Sequence, residues 1–359
     1  MKLADRYLLR ALLAGIAAAS LLLLPLFGFF DLIGELDDVG KGSYQMADAL
    51  RVSAMLLPRR LIELGPFIVL LGSIAGLGYL ASASELVALF ASGFSVGRLA
   101  ALTLITALLF SALLLVADQW LASPWQQQAL AHRASALQSR ATDDHSRAVW
   151  WQEGRQLIRV ADLRAGRIAL GVELFEFDDS GALQRYRYAP RADIDQQGIW
   201  QLHDVTDKDW RHPSAQIRYH ATSQWRSQLP PTAVVYLLQP AAHMPPLALH
   251  QQIRSLRQAG QPFAAYQHAF WQRLSAPLLA AAMALLALPL CLGNARNYNA
   301  GQRLALASLA GLVIYLLQQI INALGALSEF NPLLTSLLPG GLLLLLAWLA
   351  VMRSGMRPQ

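Results

Sequence analysis

The residues of this chain that could do chemistry are few, and their spacing rules out most of it. Gly34 to Gly42 approaches the phosphate-binding loop G-x-x-x-x-G-K-[ST], in which backbone N–H groups and a lysine wrap a phosphate. Five residues rather than four separate Gly34 from Gly40, and Gly42 follows Lys41 where a serine or threonine is needed. The chain therefore reads as one that does not hydrolyse ATP by itself. All eight histidines fall between residues 121 and 268, with none at H-x-x-x-H or H-E-x-x-H spacing. His203, His212 and His220 are scattered among alternating segments, which suits solvent-facing positions better than a metal or acid–base role. The single cysteine, Cys291, lies in the apolar run Leu285 to Leu292 and reads as a small buried hydrophobe. Nothing here supports a hydrolase, a bound metal or a cofactor.

The elements that must carry these residues are mostly apolar. Only 14% of the 359 residues are charged, against roughly 25% in a soluble domain, and 55% are hydrophobic. The charges are also segregated: 29 of the 52 Asp, Glu, Lys and Arg residues lie between Leu121 and His268. Basic residues form no long run, so the net charge of +6 points to membrane topology and not to nucleic acid.

Apolar runs of bilayer-spanning length, roughly 17–25 residues, come in two groups of three: 11–30, 61–81 and 99–117, then 274–293, 304–325 and 333–352. The first could imitate a secretory signal, but its 20 residues exceed the usual core and Ala17, Ala18 and Ala19 sit in its middle, so it reads as a retained helix. Asp31, Glu35, Asp37 and Asp38 are expected to stop it. Lys2, Arg6, Arg10, Arg98, Arg296, Arg303, Arg353 and Arg357 all fall on one side of a six-span plan, which makes that side cytoplasmic and places both termini there. The acidic cluster after the first span, the turn at Glu329 and the central segment fall outside, in the periplasm. Lys41, Arg51, Arg59 and Arg60 break the rule and could form an outward site for an anion. Glu63, Asp118 and Arg273 sit near span ends, where snorkelling would explain them. With no carboxylate, histidine or lysine at midplane, an ion-coupled carrier is the weakest reading.

From about residue 121 the third span continues as a helix through Arg133. After Asp143 the texture changes to alternating runs such as 156–160, 172–177, 185–188, 199–202 and 216–219, bounded by turns like Asp178-Asp179-Ser180-Gly181. A period of two at this spacing predicts an all-β domain, a sandwich or an open barrel. Leu174, Phe175 and Phe177 could line an apolar groove or simply pack a core. Residues 245–270 read as helix leading into the fourth span. The domains expected are thus 1–120, 121–268 and 269–359.

Between the second and third spans, residues 82–93 predict a short helix at the cytoplasmic face, capped by Ser84 and ended by Gly93. Leu86, Leu89 and Phe90 form its apolar stripe, with Glu85 exposed beside them. It is either a plain connector or a docking helix for a cytoplasmic motor, with Glu85 as the charged contact.

Asp5-Arg6-Tyr7, Gly42-Ser43-Tyr44, Ser84-Glu85-Leu86-Val87, Ala91-Ser92-Gly93-Phe94 and Tyr315-Leu316-Leu317-Gln318-Gln319-Ile320 together resemble the lipopolysaccharide export permeases of the LptF/LptG family, and the LptG branch more than the LptF one. The similarity runs over essentially the whole chain. It implies an α+β membrane protein of six transmembrane helices, with a periplasmic, jellyroll-like β domain inserted between helices three and four. It implies an inner-membrane heterodimer with an LptF-type subunit, driven by an LptB-type cytoplasmic ATPase dimer. Lipopolysaccharide would leave the outer leaflet for a periplasmic bridge of LptC and LptA type. Glu85, Leu86, Leu89 and Phe90 would then couple to the ATPase. Arg133 would lie near the lipid phosphates, and Leu26, Phe30, Phe67, Tyr315 and Ile320 would border the lipid cavity and its gates. Members of the family often carry paired lysines where this chain has Asp37 and Asp38; Lys41, Arg59 or Arg60 could substitute. The rival reading is a membrane-anchored scaffold or mechanotransmitter whose β domain binds a periplasmic partner without lipid passage.

Overall fold

The computed structural model describes residues 3–137, 148–164, 168–195, 198–210, 216–230, 233–234, 237, 240–292, 300–327 and 331–355. Lys2, His212, Arg296, Glu329 and Arg357, which entered the expectations above, lie outside the described residues. The chain forms two compact units, Met1–Ser139 with His268–Gln359, and Arg140–Gln267. The boundary before the second unit falls later than residue 121 because the third span continues, helical, to Leu137.

The first unit contains α1 (Leu3–Leu36), α2 (Met46–Ser82), α3 (Glu85–Ala91) and α4 (Val96–Ala117). A π-helical turn, Asp118–Ala122, joins α4 to α5 (Ser123–Leu137). After the insertion come α7 (Ala264–Leu292), α8 (Ala300–Leu327) and α9 (Pro332–Gly355). Six of the helical stretches are long and apolar enough to cross a membrane, in the two groups of three that hydropathy predicts. They are longer than the apolar runs. At 1.5 Å per residue the 34 residues of α1 reach about 51 Å, against a hydrocarbon core of roughly 30 Å. Asp31 and Glu35 do not stop α1 as expected; both lie inside it, because each carboxylate finds a basic or phenolic partner on a neighbouring segment.

Leu8, Leu12, Leu77, Leu80, Leu99 and Leu288 are fully buried in one cluster that joins α1, α2, α4 and α7. The crossing of α1 and α2 depends on glycine. A Cβ on Gly72 would lie 2.5 Å from Ile16 Cα, one on Gly76 would lie 2.5 Å from Ala11 O, and one on Gly15 would strike the Gly72 carbonyl. Gly72-x-x-x-Gly76 thus lets two backbones touch, the close packing that drives helix association where lipid removes the hydrophobic contribution. By contrast, α8 keeps most of its described side chains exposed, including Leu309, Leu312, Leu316, Leu317 and Leu324.

The second unit is a six-stranded antiparallel sheet: β1 (Val149–Glu153), β2 (Gln156–Arg164), β3 (Ile168–Phe177), β4 (Leu183–Ile194), β5 (Ile199–Asp209) and β6 (Gln216–Arg226). Neighbours follow chain order throughout, so the sheet is a meander. Each alternating run of the sequence lies inside a strand; β1, with Trp150 and Trp151, is the strand the pattern did not announce. Alternate residues build one apolar face, with Ile158, Val172, Leu174, Trp200 and Leu202 buried, and the chain covers it with its own Leu229, Val234 and Leu256. Leu256 comes from α6 (Pro246–Gln258). The helix expected over 245–270 is broken here: α6 ends before Gly260, whose φ of +67° suits glycine, and α7 begins at Ala264.

Candidate functional site

Three places in the structure gather the residues that the sequence singled out. The first is α3. Its flanking residues Ser84 and Gly93 both take left-handed backbone, φ 59° and 88°. Ser84 stands at the N-cap position but makes no side-chain cap bond, so the capping role expected of it is corrected: it is a turn residue. Leu86 is buried, while Leu89 and Phe90 pack partly buried against the same cluster as Leu8, Leu12, Leu80 and Leu99. The apolar stripe is therefore turned into its own bundle and is not offered outward. Val87 and Ala88 face out instead. Glu85 is half-buried, and its Oε2 accepts a hydrogen bond of 2.5 Å from the Tyr7 hydroxyl on α1. Arg98, on the first turn of α4, donates to Asp5 at 2.8 Å, and its guanidinium lies over the Phe94 ring at 5.0 Å.

Ser95 belongs to this region. Gly93-Phe94-Ser95-Val96-Gly97 spells the G-x-S-x-G of a nucleophile elbow, against the expectation that the chain has no such motif. That elbow needs a strand before it, and here α3 precedes. Ser95 Oγ instead accepts from the Arg98 N–H as the N-cap of α4.

The second place is an ionic belt at the opposite ends of these helices. Arg60 grips Asp31 of α1 with two bonds, Nε to Oδ2 at 2.7 Å and Nη2 to Oδ1 at 2.6 Å, and also donates to Glu63 at 2.8 Å. Arg59 reaches Glu63 at 3.0 Å and Asp118 at 3.5 Å. Asp118, wholly buried at the start of the π turn, accepts from the Ser123 hydroxyl at 2.7 Å and pairs with Arg273 of α7 at 3.3 Å. Snorkelling does not explain Asp118 or Arg273: they are interior and pair across helices, the signal being opposite charges at the end of one span and the start of the next. A little further along, Arg133 of α5 pairs with Glu35 at 2.9 Å and with Asp38. The Tyr44 hydroxyl donates to the same Glu35 at 2.8 Å, and Lys41 pairs with Asp38 at 2.7 Å. The Lys41 hydrogen bond and the Arg133 charge hold the Asp38 carboxyl below its usual range, while burial and Glu35 push the Tyr44 phenol above its own.

All four cations expected to meet an anion, Lys41, Arg59, Arg60 and Arg133, are thus engaged by carboxylates. Lys41 is the most open, with 63% of its side chain exposed. An incoming phosphate would have to compete with Asp31, Glu35, Asp38 and Glu63, and each pair it displaced at the surface would be worth roughly 0–1 kcal/mol.

The third place is apolar. Leu26 and Phe30 on α1 and Ile320 on α8 are exposed; Tyr315 is half-buried and its hydroxyl accepts from Gln319 at 3.0 Å. Phe67 differs from the other expected gate residues, being buried on α2, where a Cβ added to Gly311 of α8 would come within 3.0 Å of its ring. A cavity of about 470 Å³ opens between α7, α8 and α9, lined by Leu279, Ile314, Leu317, Leu338 and Leu342 with Gln318. None of the five expected gate residues lines it. In the sheet, Leu174 is core and Phe175 lies on the opposite face, stacked between Trp150 at 5.9 Å and Tyr186 at 5.0 Å.

Comparison with known proteins covers the whole of this arrangement. Residues 6–353 match the profile of a family described as lipopolysaccharide export system permease LptF/LptG. Among curated proteins, the chain is 28% identical to the lipopolysaccharide export system permease protein LptG of Escherichia coli K12 over 354 residues, 98% of each chain. It is 24% identical over 345 residues to the protein of the same name from Haemophilus influenzae, 96% of each chain.

Proposed function

We propose, for a chain that belongs to the LptF/LptG family of lipopolysaccharide export permeases, that it draws lipopolysaccharide out of the inner membrane's outer leaflet. It is a multi-pass membrane protein and the LptG-type permease subunit of that export system. The observation that carries the reading is full-length similarity to permeases of that name, over six apolar helices with a sheet inserted after the third.

The finer reading joins what the family resemblance implies to the charge and polarity of the sites above. As that resemblance implies, the energy comes from a separate LptB-type ATPase dimer, met at α3 through Glu85 and the outward-facing Val87 and Ala88. An LptF-type subunit completes the lipid cavity against the exposed faces of α1 and α8, where Leu26, Phe30, Tyr315 and Ile320 lie. The lipid's phosphates meet the ionic belt, Lys41 first and then Arg133, Arg59 and Arg60, by exchanging one anionic partner for another. The β unit, on the periplasmic side with both termini cytoplasmic, hands the lipid to an LptC and LptA-type bridge.

The test is reconstitution of the complex in proteoliposomes, with release of lipopolysaccharide to a soluble acceptor as the readout. ATP-dependent release that stops with a hydrolysis-dead ATPase is expected. Release that continues without hydrolysis would sink the motor-driven reading. Within the same assay Glu85→Ala should lower the yield of co-purified ATPase, and Arg133→Glu should lower lipid crosslinking; normal values would reassign those roles.

A further inference from the structure

Asp5-Arg6-Tyr7 has no task in export as described, yet Tyr7 reaches the helix that meets the motor and Asp5 reaches the first turn of α4 just beyond it. Resting on the export reading, we propose that Tyr7 and Asp5 are positioning residues that bind the corner formed by α3 and the start of α4 to the cytoplasmic end of α1. Movement imposed on α3 then tilts α1 and reaches Asp31 and Glu35 at its far end.

Two ties are separate in sequence and chemistry. Tyr7 donates to Glu85, the first residue of α3. Asp5 accepts from Arg98, whose guanidinium covers Phe94, three residues beyond the end of α3. Between the ties, Leu8 and Leu12 of α1 share one buried cluster with Leu86 of α3 and Leu99 of α4. α3 has only seven residues and is entered and left through left-handed turns, so it is connected to α2 and α4 by bends. Its tie to α1 through Tyr7 is direct, and the second tie runs through Arg98 at the start of α4. Glu85 spends one oxygen on Tyr7 and keeps the other for a cation of the motor, so one carboxylate can join motor to gate. At the far end, α1 carries Asp31, held by Arg60, and Glu35, held by Arg133. A tilt there would loosen the carboxylates from the cations that a phosphate needs.

The experiment uses the full permease with its partner subunit and ATPase, in a Cys291→Ala background. A spin label at Ile33→Cys, an exposed position near the far end of α1, reports ATP-dependent change. Tyr7→Phe keeps the ring and removes only the hydroxyl; Asp5→Asn removes the charge. With both changes, ATPase recruitment and turnover should stay normal. The ATP-driven change at position 33, and lipid released per ATP, should fall by roughly two- to tenfold, the factor by which weakening one hydrogen bond shifts a two-state equilibrium. Exchanging the charges, Asp5→Arg with Arg98→Asp, should restore part of both. A full response in the double variant would overturn the proposal, and so would loss of ATPase recruitment, which would make these residues part of the docking surface. A wild-type complex that moves at position 33 but releases no lipid would support this inference and remove the export reading.

Discussion

At the scale of single residues, the charges that break the inside–outside pattern were legible as an outward cluster, but their occupancy was not. Lys41, Arg59, Arg60 and Arg133 are all found against carboxylates, because Asp31, Glu35 and Asp38 continue or follow α1 instead of lying free beyond it. Asp38 holds two of the four cations, Lys41 and Arg133. Its folded-state pKa is depressed by Lys41 and Arg133, so the pairing is intact above the unfolded value and is lost only as pH falls through the lower folded one. Mild acidification, to about pH 5, should therefore leave Asp38 charged and paired with Lys41 and Arg133. Removing the charge should loosen that part of the belt. With Asp38→Asn, binding of lipopolysaccharide to the permease in nanodiscs should tighten about two- to fivefold, as exposed pairs worth roughly 0–1 kcal/mol allow. Weaker binding would show that Asp38 orders the cations for the lipid.

At the scale of elements, hydropathy gave the number and order of the spans, and alternation gave five of the six strands. It failed where tertiary pairing decides. Asp118 and Arg273 looked interfacial because each sits at the end of an apolar run, and only the packing of α7 on the π turn reveals a buried pair. Ser84 looked like a cap because its type and position fit, but its backbone is left-handed. Gly72-x-x-x-Gly76 was readable as a close-approach motif, yet in an apolar run the glycines carry no mark of their partner. Arg273→Ala should lower stability by about 3 kcal/mol, the lower end for breaking a buried pair, since Arg59 still reaches Asp118. Replacing both Arg273 and Asp118 with leucine should recover most of that loss. Thermal unfolding in detergent reads both, and a double variant no better than the single one would show that the belt is needed as a whole.

At the scale of the whole molecule, the uneven distribution of charge told most: two apolar thirds around a polar middle are what the two units turn out to be. The sequence could not place the boundary, since a helix passing from lipid into water shows no break in the chain. The orientation proposed, with the α3 side cytoplasmic, rests on Arg6, Arg10, Arg98 and Arg353 and is open to a direct test. In cells with a permeabilised outer membrane, a membrane-impermeant maleimide should label Ser180→Cys in the β unit and leave Val87→Cys unlabelled until the inner membrane is opened. The reverse pattern would invert the topology.

The glycine crossing of α1 on α2 has a mechanical meaning. Backbones in contact at Gly15 and Gly72 cannot slide past one another without a clash, but they can rock. Gly15 is then a fulcrum set off-centre: Tyr7 lies eight positions before it and Asp31 sixteen positions after it. At 1.5 Å per residue the arms are about 12 Å and 24 Å, so to the extent that α1 stays straight through Pro25, a push at the inner end would be returned at the outer end with about twice the stroke and half the force.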